Sequence, residues 1–360
     1  MRGSINILLF GACSILLCAT SSHGQKYYSE EDFFKTRKID AHIHIRSLTD
    51  AVSEQAKADL FQLINVNVAS SDSSLLDQRK FTTYQVTAHP DQIFFLDAFS
   101  VSSWNLPDWS SKTIAQLKES FTNGALGVKV WKNIGMVEKD SAGKFIMIDD
   151  PRFDPVIHYI IDQHKTLLAH IGEPRNCWLP LDQMTVNNDR SYFRANPIYH
   201  MYLHPDYPSY QELIDSRDRL LARHPDLRFV GAHLGSLEYN VDSLAKRLDR
   251  FPNMAVDVAE RVCHLEYQSQ SNREKIRNFL IKYQDRIIYG SDLGMSPNND
   301  PAAVKARLHK RWLEEWDYFS TEKIMTTEEV NGEFQGLQLP KNVVDKIYYL
   351  NAVKWYGIKK

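Results

Sequence analysis

Cysteine is scarce in this chain: four residues in 360, too few for a disulfide scaffold. Positive charge is not in surplus either. Lysine and arginine total 43 against 45 acids, a formal charge of -2, so nothing is available to neutralise a run of phosphates, and nucleic acid is not an expected partner. No apolar run beyond Gln25 approaches the roughly 18 to 20 residues of a membrane span, so no membrane span is expected in the mature chain. No low-complexity linker or break in composition divides it, and no Gly-x-Gly-x-x-Gly follows the first apolar run, which argues against a dinucleotide fold. What is present is 43% hydrophobic, 24% charged and 11% aromatic residues, the proportions of a soluble protein of enzyme size.

The first 24 residues differ from the rest. Arg2 is followed by an almost unbroken apolar or small stretch from Ile5 to Ala19, then Ser21, Ser22, His23 and Gly24. This is the layout of a secretory signal peptide over 1–24, with Ser22 and Gly24 at the -3 and -1 positions before Gln25. The expected location is exported, periplasmic or secreted. A lipid anchor on Cys13 or Cys18 is the alternative, disfavoured by the residues before each. Cleavage leaves Cys177 and Cys263, whose pairing the spacing alone does not decide.

From residue 25 to 360 the chain reads as one domain. Short apolar runs rich in valine, isoleucine and phenylalanine recur at Ile39 to Ile45, Ile64 to Ala69, Ile93 to Ala98, Gly127 to Trp131, Thr166 to Ile171, Leu227 to Ala232, Met254 to Val258 and Arg286 to Tyr289. Helix-like stretches at 51–63, 75–87, 111–122, 153–164, 209–223, 239–250 and 272–284 separate them. Buried parallel strands alternating with helices define an α/β fold, and eight repeats suit a closed (β/α)8 TIM barrel better than an open sheet. The segment 172–208, with five prolines, is too long for an ordinary connection and is expected to be a lid.

Four of the runs end in residues suited to metals or protons. Strand alternation puts His42 and His44 of Asp40-Ala41-His42-Ile43-His44 on one face; His170, His233 and Asp292 end three later runs. In a barrel these ends converge on one mouth, where a metal would satisfy several buried polar groups at once.

In that order, from Asp40-Ala41-His42-Ile43-His44 past His170 and His233 to Gly290-Ser291-Asp292 and Asn351-Ala352, the chain resembles the amidohydrolase superfamily. More specifically it is similar to the amidohydrolase-related branch that includes aminocarboxymuconate-semialdehyde decarboxylase and other decarboxylases and hydrolases. The resemblance implies a metal-dependent hydrolase-type barrel with one divalent metal, most often zinc. His42, His44, His170 and Asp292 match the ligands, and His233 the acid or base beside the metal. Three imidazoles and a carboxylate suit zinc, which brings the pKa of bound water to about 7. Asp292 would double as a proton acceptor.

A second metal is the less favoured alternative. It would need carboxylation of Lys129 or Lys132 in Gly127-Val128-Lys129-Val130-Trp131-Lys132, the fourth run. Glu173 is placed to orient His170; Arg46, Trp131, Lys132 and Arg175 lie just past strand ends, where they would line a pocket for an anionic or aromatic substrate. Tyr199, His200, Tyr202 and His204 suit a packed lid, and the basic residues from Lys305 to Arg311 a solvated helix face.

The expected function is hydrolysis of a C–N or C–O bond of a small molecule by metal-activated water. Nonoxidative decarboxylation of a carboxylic acid uses the same ligands and is the alternative. A catalytically silent binding protein would be signalled by a lost ligand, and none is lost. A small molecule is the expected partner, with a homodimer as the expected assembly if the chain is not monomeric.

Overall fold

The computed structural model describes Lys26–Lys359. The proposed signal peptide and its two cysteines lie outside the described residues.

Nine parallel strands run around one sheet: β1 (Lys38–Ile45), β2 (Phe61–Val66), β3 (Ile93–Ala98), β4 (Gly127–Val130), β5 (Thr166–Ala169), β6 (Arg228–Gly231), β7 (Met254–Asp257), β8 (Ile287–Ile288) and β9 (Gly294–Met295). From β1 to β8 each strand pairs with its neighbour in chain order, and β9 pairs with β1. The eighth run forms β8, and the short β9 follows it as a separate piece. β8 pairs with β7 and β9 pairs with β1, while Ala41 N donates to Tyr289 O at 3.0 Å and Asp292 N to His42 O at 2.8 Å between them. Those bonds close the ring, and the fold is a (β/α)8 TIM barrel.

Two apolar layers hold it. Ile39, Ala41, Ile64, Val66, Leu96, Leu168, Val230, Ala255 and Ile288 fill the barrel interior, plugged below by Trp355 and Tyr356 of the helix Asn351–Tyr356. Ile43, Ile45, Leu63, Val128, Leu167, Phe229 and Val256 pack outward against the helices. In β1 the inward residues are therefore Ile39 and Ala41, yet Ile43 and Ile45 face out. The register of β1 against β2 shifts between Asp40 and Ile43. That bulge resets the alternation and turns His42 and His44 inward, a common way of re-aiming side chains beside a site.

Some boundaries moved. The first helix is Ala51–Ala58, not 51–63, because Leu60 takes a left-handed φ of 59°, and β2 accordingly begins at Phe61. The helix Val262–Lys282 starts ten residues before the expected 272, where Asn272 breaks it with non-helical angles and caps Lys275 N at 3.0 Å. Segment 172–208 is not structureless. It holds short turns and the helix Asn187–Ala195, with His200 Nε2 bonded to Leu179 O at 2.8 Å and His204 Nε2 to Pro197 O at 3.0 Å. Cys177 and Cys263 are both buried and unpaired. The basic residues of the helix Pro301–Ser320 do not form one solvated face: Arg311 is turned in against Glu315 and Glu329, and His309 Nδ1 meets Asp59 at 3.0 Å. Among the described residues no helix is long and apolar enough to cross a membrane.

Candidate metal centre

His42, His44 and Asp292 converge at the C-terminal mouth of the barrel, with one ligand-type atom from each within 4.8 Å of the others. Asp292 Oδ1 lies 3.0 Å from His44 Nε2 and 3.3 Å from His42 Nε2. The far nitrogens fix the tautomers. His44 Nδ1 is 2.7 Å from Val66 O, and a carbonyl only accepts, so that nitrogen carries the proton. His42 Nδ1 is 2.8 Å from Asp257 Oδ2, deep in the interior, and donates likewise. With those protons on the Nδ1 atoms, both Nε2 atoms turn towards the Asp292 carboxylate, and His42 Nε2 also meets the Lys129 ammonium at 3.2 Å. Two imidazole nitrogens and a carboxylate oxygen gathered in this way are the donor set of a divalent metal. The residues fit the group.

Asp257 was not singled out from the sequence, where it reads only as the end of the run Met254–Asp257. It is fully buried, takes His42 Nδ1 on one oxygen, and takes His233 N at 2.6 Å and Ala259 N at 3.2 Å on the other. Its ligand-type oxygen also lies within 4.8 Å of those of His42 and His233, but the hydrogen bonds it accepts from the His42 ring and two backbone N–H groups suit it to orienting ligands.

His233 follows β6 on a run of left-handed residues, His233, Leu234, Gly235 and Ser236, with φ between 55° and 61°. Left-handed backbone costs about 1–2 kcal/mol per non-glycine residue, so the surroundings must hold it. Asp257 grips His233 N, buried Arg217 donates to Gly235 O, Tyr210 Oη to Ser236 O at 2.5 Å, and Ser236 Oγ to Gly172 O at 2.6 Å. A Cβ on Gly231 would lie 2.8 Å from Gly235 Cα, so this turn requires glycine there. His233 Nδ1 donates to Ala259 O at 2.9 Å, which leaves Nε2 as its lone pair. Its ring stands 5.1 Å from that of His42 and 4.2 Å from that of His170. Burial holds His233 and His42 below the ordinary histidine value, hence neutral at pH 7. Asp292 is also left-handed, with φ 59°. Burial opposes its charge, but any proton taken up by the His42 or His233 ring beside it, together with its hydrogen bond to His44, favours the carboxylate.

His170 lies outside the tight group. Its Nε2 is buried without a hydrogen bond and faces Glu173 Oε2 at 3.4 Å, and burial pushes its pKa down to about 4. A buried bare imidazole nitrogen one ring away from the ligand set is itself a vacant donor for a metal. Glu173 is also buried. Burial works against its charge, yet Lys132, which is ion-paired to it, holds it well below the usual carboxylate range. Lys132 itself is pushed up to about 12 in spite of its burial, chiefly by Glu173. The two lysines of the fourth run are thereby separated: Lys132, just past β4, is committed to Glu173, whereas Lys129 Nζ, within β4, reaches His42 Nε2 at 3.2 Å and burial brings it down to about 8.

Lys132, His170, Glu173, Asn188, Asp189, Tyr192 and Asp292 help line a cavity of about 340 Å³ over these groups, together with Arg261, which the sequence reading passed over. The lid wall is tied down from below: Asp189 meets His264 Nε2 at 3.0 Å and accepts from Asn176 Nδ2 at 2.8 Å. Trp131 lies within 6.0 Å of the Lys132 ammonium, and Arg175 is drawn away over the Tyr239 ring at 4.7 Å.

A closed parallel barrel whose mouth gathers histidines and an aspartate is the architecture of a metal-binding barrel. The amidohydrolase family model matches residues 96–358, and the chain belongs to that family. No curated protein matches the sequence. Among solved structures, 2,6-dihydroxybenzoate decarboxylase from Rhizobium is similar over 89% of this chain and 99% of its own, with 13% identity and a TM-score of 0.53. A 4-oxalomesaconate hydratase from Rhodopseudomonas palustris aligns over 89% of this chain and 95% of its own, with 12% identity and a TM-score of 0.48. At 13% identity the likeness to the decarboxylase is one of fold.

Proposed function

We propose that this protein hydrolyses a C–N or C–O bond of a small molecule, with one divalent metal, zinc by preference, held by His42, His44, His170 and Asp292. One observation carries the choice over decarboxylation: the two candidate proton-transfer groups at the mouth are acceptors. His233 has its Nδ1 proton committed to Ala259 O, leaving Nε2 to accept, and Asp292 is a carboxylate. Hydrolysis begins by taking a proton from water, whereas decarboxylation ends by delivering one to carbon, for which a neutral His233 is poorly prepared.

A divalent cation bound there supplies Lewis acidity, polarising a carbonyl and acidifying water. The protein's part is positioning and proton transfer. Asp257 holds His42 in one tautomer, and Val66 O does the same for His44. Asp292 or His233 Nε2 receives the proton of the attacking water, and the protonated group returns it to the leaving nitrogen or oxygen. The lid from 172 to 208 excludes bulk water. The leader-like N-terminus supports work outside the cytoplasm, periplasmic or secreted.

Zinc-loaded protein should be screened against small amides, esters and lactones, and separately against aromatic and unsaturated acids with carbon dioxide detection. Release of acid from one of the first group is the expected result. Carbon dioxide release without any hydrolysis would overturn the reading in favour of a decarboxylase.

A further inference from the structure

Several of the charges that line the cavity have a partner of opposite sign. Lys132 is matched by Glu173, and Asp189 by His264. Arg261, fully enclosed, stands 3.9 Å from both Glu173 and Asp189 and donates to Glu260 O at 2.9 Å. Arg46 has nothing comparable. Among the described residues its side chain makes no hydrogen bond and no ion pair, and its Nε is buried without a partner. Only its backbone is engaged, donating to Met295 O at 2.8 Å. The acid whose field reaches it is Asp292, whose charge is already shared among the histidines.

Its placement follows from the bulge in β1. After the register shift, His42 and His44 face the interior while Ile43 and Ile45 pack outward, so the next residue on the inward face is Arg46. Two residues of strand span about 7 Å, which sets Arg46 one step above His44 at the mouth. A partly buried guanidinium with unused donors costs free energy unless something fills them, and its planar fork matches a carboxylate. A guanidinium fork with no carboxylate on it suits a monoanion; a doubly charged phosphate would meet the acids Glu173 and Asp189 that line the cavity.

We infer that Arg46 is the receptor for a carboxylate on the substrate, so that the molecule cleaved is a small carboxylic acid whose carboxylate lies within about 7 Å of the scissile carbonyl. This specifies the substrate of the hydrolase proposed above and rests on that reading for the word scissile, but not for the binding.

The test uses zinc-loaded protein and two probes, benzoate and its neutral isostere benzamide, with affinity measured by calorimetry. Arg46→Met and Arg46→Lys are compared with the wild type at equal zinc content and equal circular dichroism. Benzoate should bind the wild type at least tenfold more tightly than benzamide, lose at least tenfold in Arg46→Met, and recover part of the loss in Arg46→Lys. Equal benzoate affinity in wild type and Arg46→Met would overturn the inference, since the metal or Arg261 would then be holding the anion. So would failure of the wild type to prefer benzoate. If Arg46→Met does not fold, Arg46→Lys decides: a loss of the bidentate fork should weaken benzoate but not benzamide, and equal effects on both refute the assignment. Binding is read without turnover, so an Arg46-dependent site in a protein without hydrolytic activity would refute hydrolysis and leave the carboxylate site standing.

Discussion

His233 and Asp292 have separable parts, because one is tied by its backbone and Nδ1 alone while the other touches both first-strand imidazoles. His233→Ala should therefore keep its metal near wild-type content while turnover falls by about a hundred- to ten-thousand-fold, the worth of a positioned proton-transfer group. Metal analysis and rate on the same preparation check this, and metal loss in a folded variant would place His233 among the ligands. Asp257 acts through His42. Asp257→Asn should weaken metal affinity by about ten- to a hundredfold, measured by competition with a chromophoric chelator, because the amide no longer enforces the Nδ1–H tautomer. Both His42 and His44 were legible from the sequence as a His-x-His at a strand end. Asp257 was not, since one acid closing an apolar run looks the same whether it faces solvent or a histidine. Arg46 was noted for its position alone; that it has no counterion only the packed neighbours reveal.

The strands were largely readable because each is a short run of branched apolar residues, as at Ile93–Ala98 and Gly127–Val130. What local pattern could not show were the places where the chain departs from regular geometry: the bulge at Asp40–Ile43, the separate short β9 after β8, and the left-handed turn at His233. Each is imposed by contacts distant in sequence. Asp40, for example, is buried and accepts from Ser291 N at 3.0 Å and Trp312 Nε1 at 2.9 Å, which pins β1 to the gap between the two pieces. The lid is held in the same long-range way. Asp189→Asn removes a buried charge that meets His264 and Arg261, and breaking such a pair costs about 3–5 kcal/mol. The expected outcome is faster proteolysis within 172–208 and a larger rise in KM than fall in kcat. Unchanged cleavage kinetics with native-like KM would show that the helix Asn187–Ala195 is held by other contacts.

At the scale of the whole molecule the closed barrel buries several imidazoles, and this gives its stability a direction with pH. Burial brings His170 from the ordinary 6.5 to about 4 and lowers His42 and His233 too. A group whose folded pKa is depressed takes up its proton in the unfolded chain first. Between about 6.5 and 4 the unfolded state therefore binds more protons, and the metal-free protein should lose stability steadily as pH falls through that window. For His170 alone, going from 6.5 to about 4 corresponds to about 3 kcal/mol at the lower end. Glu173 acts in the same sense further down, because its depressed carboxylate must be protonated at acid pH. Above 6.5 neither contributes a slope. Urea unfolding of metal-free protein at a series of pH values should show this acid limb, and His170→Gln should flatten it between 6.5 and 4 by close to one proton. A limb of the same steepness in the variant would mean that His170 is solvated and titrates normally, and then its buried, unpartnered nitrogen could not be waiting for a metal.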